Sequence, residues 1–225
     1  MLGRVVKTFD NNLAIIDYTG SFMKIDQNGN FLFRKTYPNS PFSFSSIEQT
    51  PDSGFIFAGT CGQGGPQSKM TLIKMDINGN LKWVKTYGAP ANVQGNRYEG
   101  GSDAKQTLDG GYIIVGSTES FGTMIDMYVV KTDSLGNLQW SKNYHRYDCI
   151  NCDLQGISVQ ITSDNNYIIF SDGSTAPVSY GSNFSLMKIN QSGDLLWNKS
   201  YGGTKMEYGS SVKISKFIYF CFLPL

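Results

Sequence analysis

The sequence predicts an all-β fold of repeated four-stranded antiparallel meanders, and three observations carry the prediction. One pattern recurs four times, as MKIDQNGNFLFRKTY, IKMDINGNLKWVKTY, VKTDSLGNLQWSKNY and MKINQSGDLLWNKSY. Its turn glycines, Gly29, Gly79, Gly136 and Gly193, are 50, 57 and 57 residues apart, a period in the range of repeat architectures. A second element interleaves with the first: EQTPDSGFIFAGT, KQTLDGGYIIVGST and QITSDNNYIIFSDGS, centred on Asp52, Asp109 and Asp164, with a degenerate copy, VKTFDNNLAIIDY, at Asp10. Each unit thus holds four short apolar runs of strand length, separated by Asp/Asn/Gly turns and without a helical period. Four-stranded meanders repeated radially about an axis make a β-propeller; a linear solenoid of sheets is the alternative.

Taken in order, the units run over about 1–37, 38–87, 88–144 and 145–201, with a partial fifth at 202–225, all in one repeat domain spanning 1–225. In the third unit the strands are expected near 102–107, 112–118, 126–132 and 138–144. The first two are joined by Asp109-Gly110-Gly111 and the last two by Asp133-Ser134-Leu135-Gly136-Asn137. In both turns the Asp side chain can accept backbone N–H bonds, and Gly tolerates positive φ. First strands carry small or polar residues (Ser46, Ser102, Ala104, Ser158), as a crowded innermost strand requires. Last strands carry Phe33, Trp83, Trp140 or Trp197 four residues after the turn Gly, and Tyr37, Tyr87, Tyr144 or Tyr201 eight after it. This registration assigns turn and blade-packing roles to Asp76, Gly79, Trp83, Asp133, Gly136, Trp140, Gly193 and Trp197, because large aromatics dominate cores. The fifth unit opens as GGTKMEYGSSVKIS, then continues as KFIYFCFLPL without the expected DGG turn. Propellers of six to eight blades would need about 350 or more residues at this period. The expectation is an open portion of a larger propeller rather than a closed four-bladed ring, with end faces that promote self-association.

The stretch from Asp76 to Trp83, with its counterparts at Asp133 and Asn190, resembles the docking motif of quinoprotein-like propellers, in which an acidic turn and Gly precede a Trp packed on the neighbouring blade. Here the turn is one residue shorter and no Thr precedes the Gly, so quinone binding does not carry over. The units also resemble those of bacterial secreted or cell-surface β-propeller repeat proteins, with the pattern DGGYIIVGST followed by KTDxxGNLxWxKxYGG. That resemblance implies an extracellular or cell-surface location and a propeller fold. It implies little about activity, since propellers host unrelated functions.

Composition agrees with a turn-rich sheet protein. Apolar residues make up 40% and charged residues 16%, against about 25% charged in typical domains; 25 of the 225 residues are Gly. With 14 Phe, 13 Tyr and 3 Trp, the chain has apolar surface enough to offset its ordering entropy. A net charge of +1 supplies no field for nucleic acid or an anionic membrane. The longest apolar stretch, Phe217 to Leu225, is short of the ~18 residues of a membrane span, and the start, MLGRVVKTFDNN, lacks the pattern of a secretory signal.

The most distinctive departure from the repeat is HRYDCINCDLQG, from His145 to Gly156, which holds the single His and two of the four Cys. His145, Cys149 and Cys152, with Asp148 or Asp153, could form a zinc set; a lone Cys-x-x-Cys is a weak signal, and a loop disulfide or free thiols are the simpler reading. Asp26 to Asn30 and Asp76 to Asn80 superficially suggest calcium, but the loops close too early for an EF-hand and read as hairpin turns. Glu99, Asp103, Glu119, Asp126 and Asp153 are the acids near loops from which a glycosidase pair could be drawn. No nucleophile elbow, P-loop, HExxH or dinucleotide fingerprint is present, so neither a cofactor nor a catalytic residue is assigned. The loops joining second and third strands, CGQGGPQSKM, ESFGTMID and GSTAPVSYGSN, and the interblade loops differ from unit to unit and are expected to emerge on one face. Tyr98, Phe121, Tyr147 and Tyr180 on that face are the expected ligand-binding residues, for a glycan or an extracellular protein. The function expected is a non-catalytic extracellular binding scaffold; the alternative is part of a propeller glycosidase or quinoprotein-like oxidoreductase.

Overall fold

A computed structural model of the chain describes residues 4–17, 20–37, 41–62, 68–88, 98–120, 125–145, 153–174, 182–202, 209–214 and 218–222. They form strands, turns and connections, with no helix among the described residues. The first sheet comprises β1 (Arg4–Lys7), β2 (Leu13–Ile16), β3 (Phe22–Ile25) and β4 (Phe31–Lys35); the second, β5 (Phe42–Gln49), β6 (Phe55–Cys61), β7 (Lys69–Met75) and β8 (Leu81–Tyr87). The third holds β9 (Glu99–Gln106), β10 (Tyr112–Thr118), β11 (Asp126–Thr132) and β12 (Leu138–Tyr144); the fourth, β13 (Gln155–Ile161), β14 (Tyr167–Ser174), β15 (Ser182–Ile189) and β16 (Leu195–Tyr201). All four are ordered as the chain runs, so each is a meander. Three of the strands expected in the third unit have the bounds read from sequence; β9 starts and ends earlier than expected, and the Glu99 N–H donates to Ser68 O (3.0 Å).

The chain divides into two compact units, Met1–Ala104 and Lys105–Leu225, with the boundary inside β9. In the first unit, β2 and β3 of one sheet meet β5, β6 and β7 of the next through Ala14, Ile16, Phe22, Phe44, Ile47, Phe55, Phe57, Ile73 and Met75. Phe22 is central, in edge-on contact with Phe33, Phe55 and Phe57 at 5.0–5.5 Å between ring centroids. In the second unit, Ile113, Val115, Met127 and Val129 of the third sheet pack on Leu154, Val159, Tyr167, Ile169, Met187 and Ile189 at the fourth. The other face of the fourth sheet buries Ile168, Phe170, Phe184 and Leu186 with Val212. Val212 belongs to a two-stranded sheet of β17 (Gly209–Ile214) and β18 (Ile218–Phe222), a hairpin formed by the partial fifth unit.

The sequence explains which strands sit inside. β10 (YIIVGST) and β11 (DMYVVKT) are buried at every position; β10 is apolar or small apart from its closing Ser and Thr, and β11 is apolar from Met127 to Val130, as strands covered on both faces must be, with the charged Asp126 and Lys131 near its two ends. The fourth strands mix polar and charged residues with their aromatics, and β12 and β16 are mostly exposed. Each third-to-fourth strand ladder shifts register by one residue at its turn, between Lys24/Ile25, Lys74/Met75, Lys131/Thr132 and Lys188/Ile189.

Candidate functional site

Every complete sheet has two chemically different ends. At one lie the short turns between strands one and two and between three and four; at the other lie the longer connections. The turn end is governed by one device used four times. In the third sheet the Lys131 ammonium reaches back to Asp109 at 2.8 Å, and Thr107 Oγ1 donates to Asp109. The same triad is formed by Lys24, Asp10 and Thr8, by Lys74, Asp52 and Thr50, and by Lys188, Asp164 and Thr162. Lys24, Lys74 and Lys131 are buried with their aliphatic stems in the sheet, while the carboxylates stay about half exposed. A buried ammonium is tolerable only when paired. Lys24 first, with Thr8, holds the Asp10 carboxyl well below the usual range, and Lys188 with Thr162 does the same for Asp164. For Asp109 burial pushes upward, but the hydrogen bonds from Lys131 and Thr107 outweigh it.

The second turn closes on its own side chains. Asp76 Oδ1 accepts from the N–H groups of Asn78 (2.9 Å) and Asn80 (2.8 Å), and Oδ2 from the Asn80 amide (2.9 Å). Asp26 and Asp133 repeat this arrangement. In the fourth sheet the acid has moved: Asn190 Oδ1 takes the two backbone donors, and its amide donates to Asp194. These are the turns that superficially resemble calcium loops, and both oxygens of each leading Asp are engaged inside the turn.

The aromatic registration acquires its mechanism here. Trp140 Nε1 donates to Gln191 O (3.0 Å), and the Tyr144 hydroxyl donates to Gly193 O (2.6 Å), so the outer strand of the third sheet clasps the turn of the fourth. A Cβ on Gly193 would stand 3.0 Å from the Trp140 ring, at φ +77°; only Gly serves there. In the first unit Tyr37 donates to Gly79 O (2.8 Å). Trp83 and Trp197 are half-buried, Trp197 against the core behind the fourth sheet with Lys199 6.0 Å from its ring. Gly136 adopts φ +76°.

The longer-loop end differs from sheet to sheet. In the first unit Glu99 is fully buried and bonded to the Lys69 ammonium at 2.8 Å, beside Gly88, where any Cβ would collide with the Glu99 carboxylate. In the second unit the position of Lys69 is taken by Asp126 and that of Gly88 by His145: both Lys69 and Asp126 open the third strand, and both Gly88 and His145 follow the fourth. Asp126, 3% exposed, lies 2.6 Å from His145 Nδ1 and accepts from the Asn143 amide at 3.1 Å. Asp153 Oδ1 accepts from Ile125 N (3.0 Å), and Asp103 Oδ1 from Ala104 N (3.0 Å). Asp172, late in β14, has a buried Oδ1 without a hydrogen-bond partner among the described residues, and burial raises its pKa.

Of the ligand-binding residues expected from sequence, Tyr98 is half-buried with its ring over the Cα of Gly100; Phe121, Tyr147 and Tyr180 lie outside the described residues. So do Cys149, Cys152 and Asp148 of the zinc expectation, while His145 directs Nδ1 to Asp126. Among the described residues no group of three His, Cys, Asp or Glu is placed to hold a metal ion, and Cys61 is a free thiol. The Lys of each unit was missed as a functional partner of the Asp turn, although MKID, IKMD, VKTD and MKIN place it identically.

Repeated four-stranded meanders with outer-strand aromatics clasping the next turn define a β-propeller. No family model matches the chain, and no curated protein matches it. Solved structures do. The Dos1 propeller is 15% identical, with a TM-score of 0.59 over 94% of this chain and 49% of its own. A catalytically inactive virginiamycin B lyase from Staphylococcus aureus, solved with quinupristin, is 10% identical, with a TM-score of 0.53 over 97% and 76%. A DUF4221 family member from Bacteroides vulgatus is 13% identical, with a TM-score of 0.50 over 86% and 65%. The chain thus spans about half of the Dos1 propeller chain. At such identities the likeness concerns the fold. No helix among the described residues is long and apolar enough to cross a membrane.

Proposed function

We propose that the chain is a non-catalytic binding module of an extracellular or cell-surface protein, and that it engages a glycan or an extracellular protein through the longer-loop ends of its blades. One observation carries this reading: three of the acids at those ends, Glu99, Asp126 and Asp153, are spent on the fold. Glu99 is buried against Lys69, Asp126 is held by His145 and Asn143, and Asp153 caps Ile125 N. A glycosidase must aim two carboxyls at one bond, whereas these are committed to neighbours. The scaffold residues repeat from blade to blade and the loops do not, which is how a binding surface is varied on a constant frame. The extracellular setting rests on the resemblance of the units to secreted bacterial repeats. Self-association through uncovered blade faces belongs to the same proposal.

A second reading has a specific support. An imidazole oriented by a buried carboxylate, as His145 is by Asp126, is the arrangement of a general base, and one solved protein of similar fold is a lyase. The experiment that separates them exposes the purified chain and its Tyr98→Ala and His145→Ala variants to a glycan array and to a panel of fluorogenic glycosides and esters. Saturable glycan binding weakened roughly tenfold by Tyr98→Ala, about 1.4 kcal/mol, without turnover, is the expected result. Turnover that His145→Ala abolishes would establish the enzyme instead.

A further inference from the structure

Two of the four strand-three to strand-four turns contain an Asn-Gly pair, Asn28-Gly29 and Asn78-Gly79; the other two hold Leu135-Gly136 and Ser192-Gly193. An Asn followed by Gly can modify itself. The Gly backbone nitrogen attacks the side-chain amide carbon, a C–N bond forms, and ammonia leaves with the transferred proton, giving a cyclic imide. Water then opens the ring at either carbonyl, leaving aspartate or an isoaspartate whose backbone runs through the former side chain. One ammonia is lost and one water gained; no oxidant, reductant or enzyme is required.

Both asparagines are exposed, and neither side-chain amide has a hydrogen-bond partner among the described residues. In both turns the Gly N–H is bonded to the carbonyl of the leading Asp, Gly29 to Asp26 at 3.1 Å and Gly79 to Asp76 at 3.0 Å. Imide formation requires that nitrogen to leave its acceptor and swing onto the side chain, so the turn must open.

The surroundings of the two glycines differ. Nothing lies within 4 Å of where a Cβ on Gly29 would sit. Gly79 is buried: the Phe22 ring is 3.0 Å and the Lys35 stem 3.1 Å from the corresponding point, and the Tyr37 hydroxyl holds the Gly79 carbonyl at 2.8 Å. We infer that Asn28 is an open deamidation site and that Asn78 is a gated one, reactive only when the first sheet releases the turn of the second. Local openings of this kind control which backbone groups react. Once isoaspartate forms at 78, the extra main-chain carbon displaces the Gly79 carbonyl from Tyr37, so that the reaction records an undocking and then makes it permanent.

The test incubates the full chain in mildly alkaline buffer and follows both turn peptides by mass spectrometry, with isoaspartyl-specific methylation as the second readout. Asn28 should convert several-fold faster than Asn78. Tyr37→Phe should raise the Asn78 rate and leave that of Asn28 unchanged. Equal wild-type rates, or an Asn78 rate indifferent to Tyr37→Phe, would overturn the inference. If Tyr37→Phe does not fold, the wild-type chain in rising sub-denaturing urea decides the matter: the Asn78 rate should climb while the Asn28 rate holds, and parallel rates would refute gating.

Discussion

The Lys131 ammonium stands 2.8 Å from Asp109 Oδ2, with the lysine side chain 4% exposed and the aspartate side chain 54% exposed. The lysine is the costly partner and the aspartate its remedy. Lys131 lies on the third strand of its sheet and Asp109 in the turn between the first two, so the pair fastens three strands together where the meander is loosest. Removing Asp109 leaves the buried ammonium with only neutral acceptors, the Thr132 carbonyl and Gln139 Oε1, whereas replacing Lys131 by an apolar residue of similar length removes the demand altogether.

Asp109→Ala is therefore expected to cost about 1–3 kcal/mol, the scale of a lost hydrogen bond to a charged group, toward the low end because Thr132 O and Gln139 still accept from the ammonium and water reaches the site. Lys131→Met should cost less than Asp109→Ala. Urea unfolding of both variants checks the order, and a larger loss for Lys131→Met would mean that the pair itself is the stabilising element.

The carboxylates of this device respond to acid in a definite direction. Asp52 and Asp109 titrate below their ordinary value of 3.8 in the folded chain. Burial works against this shift and is outweighed by Thr50 and Lys74 for Asp52, and by Lys131 and Thr107 for Asp109. Their contribution is fully present above 3.8 and is lost as pH falls below it toward the folded values. Asp172 runs the other way. Burial raises its pKa, so the neutral acid is favoured on folding, and its contribution is present below 3.8 and lost as pH rises through the folded value. Asp172→Asn should thus raise the melting temperature at pH 7 and lose that advantage below pH 3.8. An unchanged or lower melting temperature at pH 7 would show that the ionised form of Asp172 has a partner.

The first turn of each sheet needs a left-handed residue after its Asp. Gly110 fills the place in the third sheet at φ +80°, and Asn11, Ser53 and Asn165 fill it in the others at 62°, 62° and 58°. Ser is the poorest of these, because left-handed backbone costs an L-residue about 1–2 kcal/mol. Part of that cost is returned by the lower entropy of the unfolded chain. Ser53→Gly is expected to stabilise by about 0.5 kcal/mol, read as a shift of the urea midpoint at constant slope. Gly59→Ala should do the opposite, since a Cβ there would collide with the Ser43 carbonyl across the strand pair.

Tyr144→Phe removes the hydroxyl that donates to Gly193 O and keeps the ring. The expected loss is about 0.5–1.5 kcal/mol, the net worth of one hydrogen bond, seen in urea unfolding. No loss would indicate that the aromatic ring alone docks the fourth sheet's turn.

Much of this architecture was legible because the repeat states each feature several times. Periodic Gly, Trp and Tyr located the turns and outer strands, and alternation with Asp/Gly breaks placed β10, β11 and β12 to the residue. The role of Trp140 was legible in kind, as blade packing, but its acceptor, the Gln191 carbonyl, lies 51 positions away, and no local pattern encodes it. Lys131 was overlooked for a different reason: a lysine in a strand reads as exposed, and only the depth of the sheet shows that its stem is enclosed. At the longer-loop ends the repeat falls silent. His145 drew notice as the single histidine, but its partner Asp126 was one acid among several, and only the fold brings the end of β12 to the start of β11.

If recognition belongs to the longer-loop ends and the repeated ion pairs of the turn ends serve stability, one comparison tests that division most directly. Binding of the wild-type chain to a glycan array, and to immobilised extracellular proteins from the same source, is measured beside Tyr98→Ala and Lys142→Ala. The latter breaks an exposed turn-end pair with Asp194. Tyr98→Ala is expected to lose binding while remaining folded, and Lys142→Ala to keep it. Binding that survives Tyr98→Ala and fails in a folded Lys142→Ala protein would place recognition at the turn end and contradict the central claim.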